Sequence, residues 1–247
     1  MTPAVREKVS LPATVKSWWR TETDRVGTRR TLVLFASLLA QFLRDSTPSK
    51  RKQRYGDVDF DWDYRVDTTG ATVGWRDRFL GLFHSAYQPT DPGLFHEMLA
   101  GLRINVGEFT FIDIGSGKGR VLLMAADYPF RRILGVEFFP SLHRIAIDNI
   151  RNYKSDTQKC FALESMCADA CLFEFPPDPT LLYLFNPLPE AGLRELLLNL
   201  ERSVDEHPRP VLVLYSNPLL ENVFSGSTCF NKVAGTHQYS IYEMTGR

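Results

Sequence analysis

The sequence is poor in the residues that build metal centres and nucleophiles. Its 247 residues hold four cysteines (Cys160, Cys167, Cys171 and Cys229) and five histidines. No two cysteines form a C-x-x-C pair. Cys167 and Cys171 stand four apart with no second pair or histidine spacing to complete a zinc site, so no metal is expected. The cysteines read as small buried hydrophobes, and a reduced, cytoplasmic setting is the default. A long apolar run is also missing. The most apolar stretch, Thr31 to Arg44, would rise only about 20 Å as a helix against a hydrocarbon core of about 30 Å, which excludes a transmembrane span. Met1 to Arg30 is polar and charged, so no signal peptide is expected. Net charge is lacking too, with 29 Lys and Arg against 29 Asp and Glu. That balance argues against a whole-protein field for nucleic acid, which is therefore not an expected partner.

What is present is unevenly distributed. Residues 1–54 carry twelve Lys and Arg against four acids, and the remainder is correspondingly acidic. The division predicts a basic N-terminal helical extension and linker over 1–56 and a catalytic body over 57–247. Hydrophobic residues make up 44%, enough for a full core. Residues 1–30 predict an irregular arm or a short helix around Trp18 and Trp19. Thr31 to Arg44 predicts a helix so apolar that it must dock, on the body, on a second copy as a homodimer, or on a membrane surface. Ser46 to Gly56 reads as a linker containing Lys50, Arg51, Lys52 and Arg54. The acidic, aromatic stretch Asp57 to Gly70 predicts a lid or an edge hairpin.

Beyond it the pattern alternates. Apolar runs at 109–114, 160–169, 181–187 and 210–218, and one closed by Glu137, predict strands. Between them, Leu142 to Tyr153 and Leu193 to Val204 repeat at helical spacing, and Leu94 to Leu102 does so ahead of the first strand. Two further strands close the chain, with Gly235 and Thr236 available for a bend. Alternating βα units predict an α/β fold: a Rossmann-like, doubly wound, mostly parallel seven-stranded sheet with an antiparallel C-terminal strand.

The chain is organised around FTFIDIGSGKGRVLLMAADYPFRRILGVE, Phe109 to Glu137. Three alternate glycines, Gly115, Gly117 and Gly119, sit at a strand-to-helix turn, where they permit close approach to a ligand. A dinucleotide fold would want G-x-G-x-x-G, whose third glycine falls here on Arg120. Instead Asp113 precedes the first glycine, a carboxylate awkward beside pyrophosphate and useful beside a cation. Glu137 closes the second strand, where a carboxylate can accept from both hydroxyls of a ribose.

These residues resemble a class I, seven-strand S-adenosylmethionine (SAM)-dependent methyltransferase. Asp113, Gly115, Ser116, Gly117 and Gly119 match the family's first motif and Glu137 its ribose-binding acid. The resemblance implies that Phe138 lines the adenine pocket and that Asp169 and Ala170 meet the adenine. FDWDYRVDTTG, YQPT, GSGKGR and FNP together resemble bacterial methyltransferase-domain proteins of unknown substrate. There is also some similarity to protein-lysine methyltransferases without a SET domain, whose comparable loop folds over the cofactor and here supplies Tyr87 and Thr90. Gln88 departs from the Glu that opens many such loops. Asn186-Pro187-Leu188-Pro189 is similar to the N-P-P-[YF] motif of amino-group methyltransferases but lacks its second proline and aromatic. Asn186 is therefore both a cofactor-side and a catalytic candidate, with a carbonyl able to orient a substrate N–H. The expected reaction is methyl transfer to an amine nitrogen on a protein or small molecule. The alternatives are O-methylation of a small metabolite and a non-catalytic SAM-binding partner module. Tyr215 and the acids of Asp57–Asp67 are the candidate bases, while His84 and His237 read as surface or core residues.

Overall fold

The computed structural model describes residues 11–45, 58–69 and 88–245. The chain forms two compact units, one of residues 1–56 and 69–87, the other of residues 57–68 and 88–247. Among the described residues no helix is long and apolar enough to cross a membrane.

In the first unit, helix α1 (Leu11–Val26) and helix α2 (Thr28–Asp45) form a hairpin. The turn is Gly27, whose φ of 81° suits glycine, and Thr31 Oγ1 donates to the Gly27 carbonyl at 3.0 Å. Of the irregular arm or short helix expected over residues 1–30, the described part forms the helix Leu11–Val26. Trp18 and Trp19 each lie 6.0 Å from the Phe35 ring of α2, so aromatic packing between the helices overrides the mixed composition of residues 11–26.

The second unit carries the sheet. In chain order its elements are α3 (Val58–Tyr64), α4 (Pro92–Ala100), β1 (Thr110–Ile114), α5 (Arg120–Ala125), β2 (Arg132–Glu137), α6 (Pro140–Asn152) and β3 (Leu163–Cys167). Then follow β4 (Thr180–Leu184), α7 (Glu190–Glu206), β5 (Val211–Ser216), α8 (Glu221–Ser225), β6 (Phe230–Gly235) and β7 (Tyr239–Met244). The strand order is β3-β2-β1-β4-β5-β7-β6. Pairing is parallel from β3 to β5, and β7 runs antiparallel to both β5 and β6. The expected doubly wound sheet with its antiparallel C-terminal strand is present. β1 and β4 are buried along their whole lengths, the mark of central strands covered on both faces. One core lies between the sheet and α7, around Leu193, Leu196, Leu200, Val213 and Phe224. The other packs Phe95, Met98, Leu122 and Tyr153 against Phe111, Ile133 and Tyr183.

The stretch read as a lid or an edge hairpin holds the helix α3. Its acids alternate as in a strand, but its inward residues Phe60, Asp61 and Tyr64 fall at i, i+1 and i+4. Phe60 and Tyr64 stack at 4.8 Å and Tyr64 meets Tyr153 at 5.2 Å, which anchors the helix on α6. The third strand is also shorter than its apolar run, ending at Cys167 rather than Asp169.

Candidate functional site

The site is built at the carboxy ends of β1 and β2. Leaving β1, the chain bends through Gly115, Gly117 and Gly119 at φ of 76°, 55° and 84°, all left-handed and costly for any other residue. At Gly115 a Cβ would stand 2.6 Å from Pro187 Cβ, so the turn after β4 closes directly on the glycine loop. Ser116 is buried with its side chain tucked under β2: its Oγ lies 2.7 Å from where a Cβ on Gly135 would be, and has no hydrogen-bond partner.

The loop's amides are engaged inside the protein. Gly115 and Ser116 donate to the Val136 carbonyl at 2.8 and 3.1 Å, and Gly119 donates to the Ser116 carbonyl at 2.8 Å. Gly117 donates to Glu137 Oε2 at 2.8 Å, and Phe139 donates to Oε1 at 2.7 Å. A pyrophosphate needs unpaired N–H groups, so this loop offers it little. It offers a floor without side chains, beside the buried carboxylate of Glu137.

Asp113 supplies the second charge. It is 3% exposed, and no group among the described residues hydrogen-bonds its carboxylate. Burial, and then the negative charge of Glu137, push its carboxyl well above the usual range. Two neighbouring acids, one backbone-bonded and one unpartnered, make a site suited to a cation. The other positions named from the sequence surround it. Phe138 is half-buried with its ring 5.5 Å from Phe139. Asp169 caps a short 3-10 turn, Ala170–Leu172, accepting from the Cys171 amide at 3.0 Å, and Ala170 is buried. Both follow β3, whose Cys167 pairs with Glu137. Thr90 is buried, its hydroxyl 3.0 Å from the Tyr183 hydroxyl. Tyr87 and His84 lie outside the described residues.

The charged residues of the glycine motif have a different task. Lys118 is fully buried and its ammonium meets Asp67 at 2.7 Å. Arg120 donates from Nε to Thr68 Oγ1 at 2.7 Å, reaches Asp61 at 3.5 Å and lies 4.7 Å over the Phe60 ring. Asn149 completes the clamp, donating to the carbonyls of Asp67 and Lys118 at 2.8 and 2.9 Å while accepting from the Asp67 amide at 2.8 Å. The segment from α3 to Thr68 is therefore a strap across the motif. Sequence reasoning missed it, although two cations inside a buried motif require partners and the acids of 57–67 were at hand.

At the ends of β4 and β5 lie two Asn-Pro-Leu turns, Asn186 to Leu188 and Asn217 to Leu219. The second escaped the sequence reading, although the repeated tripeptide was its signal. β4 and β5 pair Leu184 with Tyr215, so continuing that register sets the two asparagines side by side. Their φ values of 44° and 48° are in the left-handed region, which Asn tolerates. Asn186 bridges the turns: its amide donates to the Asn217 carbonyl, and its Oδ1 accepts from Tyr215 OH at 2.7 Å and from the Leu219 amide at 3.4 Å. Tyr215 is buried, which raises its pKa, and its hydroxyl proton points at Asn186, so it is no base as it stands. Asp61 and Asp67 belong to the strap, and His237 is an exposed loop residue.

The strand order and the glycine turn decide the fold. It is Rossmann-like, a mostly parallel seven-stranded sheet with an antiparallel C-terminal strand. No family model and no curated protein matches the sequence. Solved structures do. One is an RNA methyltransferase from Salinibacter ruber in complex with S-adenosyl-L-homocysteine: 18% identity, covering 63% of this chain and 92% of that one, TM-score 0.44. Another is a predicted N6-adenine-specific DNA methylase from Listeria monocytogenes: 15% identity, 64% and 52% covered, TM-score 0.47. A third is a SAM-dependent methyltransferase from Leishmania major: 11% identity, 62% and 70% covered, TM-score 0.43.

Proposed function

We propose that the second unit binds SAM and transfers its methyl group to an amine nitrogen on a protein or small molecule. The observation that carries this reading is the pair of carboxylates at the glycine turn. Asp113 is buried without a hydrogen-bond partner among the described residues, beside a floor whose own amides are engaged, which suits a cationic nucleoside far better than a phosphate. Glu137 would take the ribose hydroxyls. Phe138, Asp169 and Ala170 would meet the adenine, and Asp113 the cationic methionine end. Gly115, Ser116, Gly117 and Gly119 would form the floor, and Thr90 would belong to the loop over the cofactor. The catalytic body would span 57–247, with 1–56 as its extension.

SAM supplies a methyl on a sulfonium, already a good leaving group, so placement at close range can provide up to ~7–11 kcal/mol of the catalysis. Asn186 would do the placing. Its strong bond from Tyr215 fixes the amide, and the long contact from Leu219 yields to an acceptor N–H. An amine near its ordinary pKa of ~10.4 must shed a proton first. With Tyr215, Asp61 and Asp67 all engaged, that proton passes to solvent. The engagement of Asn186 also favours a second reading, a SAM-binding module without transfer.

Methyl-labelled SAM incubated with the intact chain and a cell lysate separates the two. The enzyme reading expects label in the lysate, cut at least about tenfold by Asn186→Gly, which keeps the left-handed backbone and removes the amide. Binding of SAM with no label transferred would establish the module. Full transfer by Asn186→Gly would remove Asn186 from catalysis.

A further inference from the structure

Helix α2 is apolar on two sides. One side carries Phe35, which packs on Trp18 and Trp19 of α1. Away from it, at 100° per residue, Leu32, Leu43, Ala36, Ala40 and Val33 share an arc of roughly 100°. Leu32, Val33 and Leu43 are 53%, 70% and 68% exposed, and Ala36 and Ala40 are exposed as well. Arg29 falls in the same arc one turn earlier and Arg30 about 60° beyond it, both exposed, as are Lys16, Arg20 and Arg25 of α1. Asp24 is the one exposed acid among the described residues of the hairpin whose side chain is placed.

We infer that this face of α2 docks on an anionic lipid surface, lying in the headgroup region with Arg29 and Arg30 against the lipid charges. An apolar arc bordered by cations matches a layer that offers hydrocarbon and negative charge together. A second copy fits poorly, because two such basic hairpins repel.

Flotation of the full chain with vesicles tests the inference, using phosphatidylcholine alone and phosphatidylcholine with about a third phosphatidylglycerol. The expected result is binding to the anionic vesicles only, weakened at least about tenfold by Arg29→Glu with Arg30→Glu and by raised salt. Val33→Asp with Leu43→Asp is expected to do the same while the circular dichroism stays unchanged. The arginine pair guards against a misfolded aspartate variant, since its side chains are exposed and outside the packed side of the hairpin. Absence of binding to anionic vesicles, or binding indifferent to both variants, overturns the inference. So does a dimer in light scattering that Val33→Asp with Leu43→Asp dissociates, which would assign the face to a second copy.

Discussion

At the carboxy ends of β1 and β2, Asp113 is buried with no hydrogen-bond partner among the described residues, beside Glu137, which accepts from the Gly117 and Phe139 amides. Two strands away, at the ends of β4 and β5, the side-chain amide and carbonyl of Asn186 are bonded to Asn217 and Tyr215. The two rims carry similar chemistry, a carboxylate or amide beside left-handed turns, yet one holds a buried charge and the other is closed upon itself. An unpartnered buried carboxylate costs stability, so its presence points to a cation that arrives later. A fully bonded asparagine costs nothing and by itself points to no acceptor. The difference explains why the cofactor is far easier to name than the substrate.

The comparison breaks most readily at Gly115. Gly115→Ala places a Cβ 2.6 Å from Pro187 in a residue at φ 76°, straining the contact between the glycine turn and the turn after β4. A left-handed non-glycine residue alone costs about 1–3 kcal/mol, and the clash adds to it. Calorimetry with S-adenosylhomocysteine is expected to show binding weakened about a hundredfold or more, with a lowered melting temperature.

Arg120→Ala sharpens the division between strap and ligand floor. It leaves Asp61 and Thr68 without their buried cation, a loss of about 3 kcal/mol, or roughly 6–12 °C in melting temperature for a chain of this size. Affinity for S-adenosylhomocysteine should change about fivefold or less. A large loss of affinity with little loss of stability would make the strap part of the site.

The smallest effect is expected at Asp113. Its folded pKa is raised above the unfolded value near ~3.9, so between the two the folded state binds more protons than the unfolded one. Stability from this group is therefore fully present below the unfolded pKa and falls as pH rises through the folded pKa. Asp113→Asn is expected to raise the melting temperature at neutral pH and to leave it nearly unchanged at the acid end, while weakening SAM binding. A gain that is greatest in acid would contradict the burial of an unpartnered carboxylate.

The sheet was readable because its signals are local. Strands such as Thr180–Leu184 are continuous apolar runs, and helices such as Glu190–Glu206 carry leucines at 193, 196, 197 and 200. The glycine turn was readable because φ values of 55–84° restrict residue choice. What escaped depends on distant contacts. The helix α3 shows alternating acids in sequence, and only its packing against Tyr153 and Arg120 selects helix over hairpin. The arm over 11–26 became regular through Phe35, and the bridge from Asn186 to Asn217 spans thirty-one residues. The engaged amides of the glycine loop could not be foreseen either, because Glu137 reaches Gly117 across twenty residues.

The most direct measurement is a calorimetric titration of the intact chain with SAM and with S-adenosylhomocysteine at neutral pH. The account predicts one site of micromolar affinity, weakened roughly ten- to a hundredfold by Glu137→Ala through one or two lost charge-assisted bonds. Absence of binding by the intact, folded chain would contradict it.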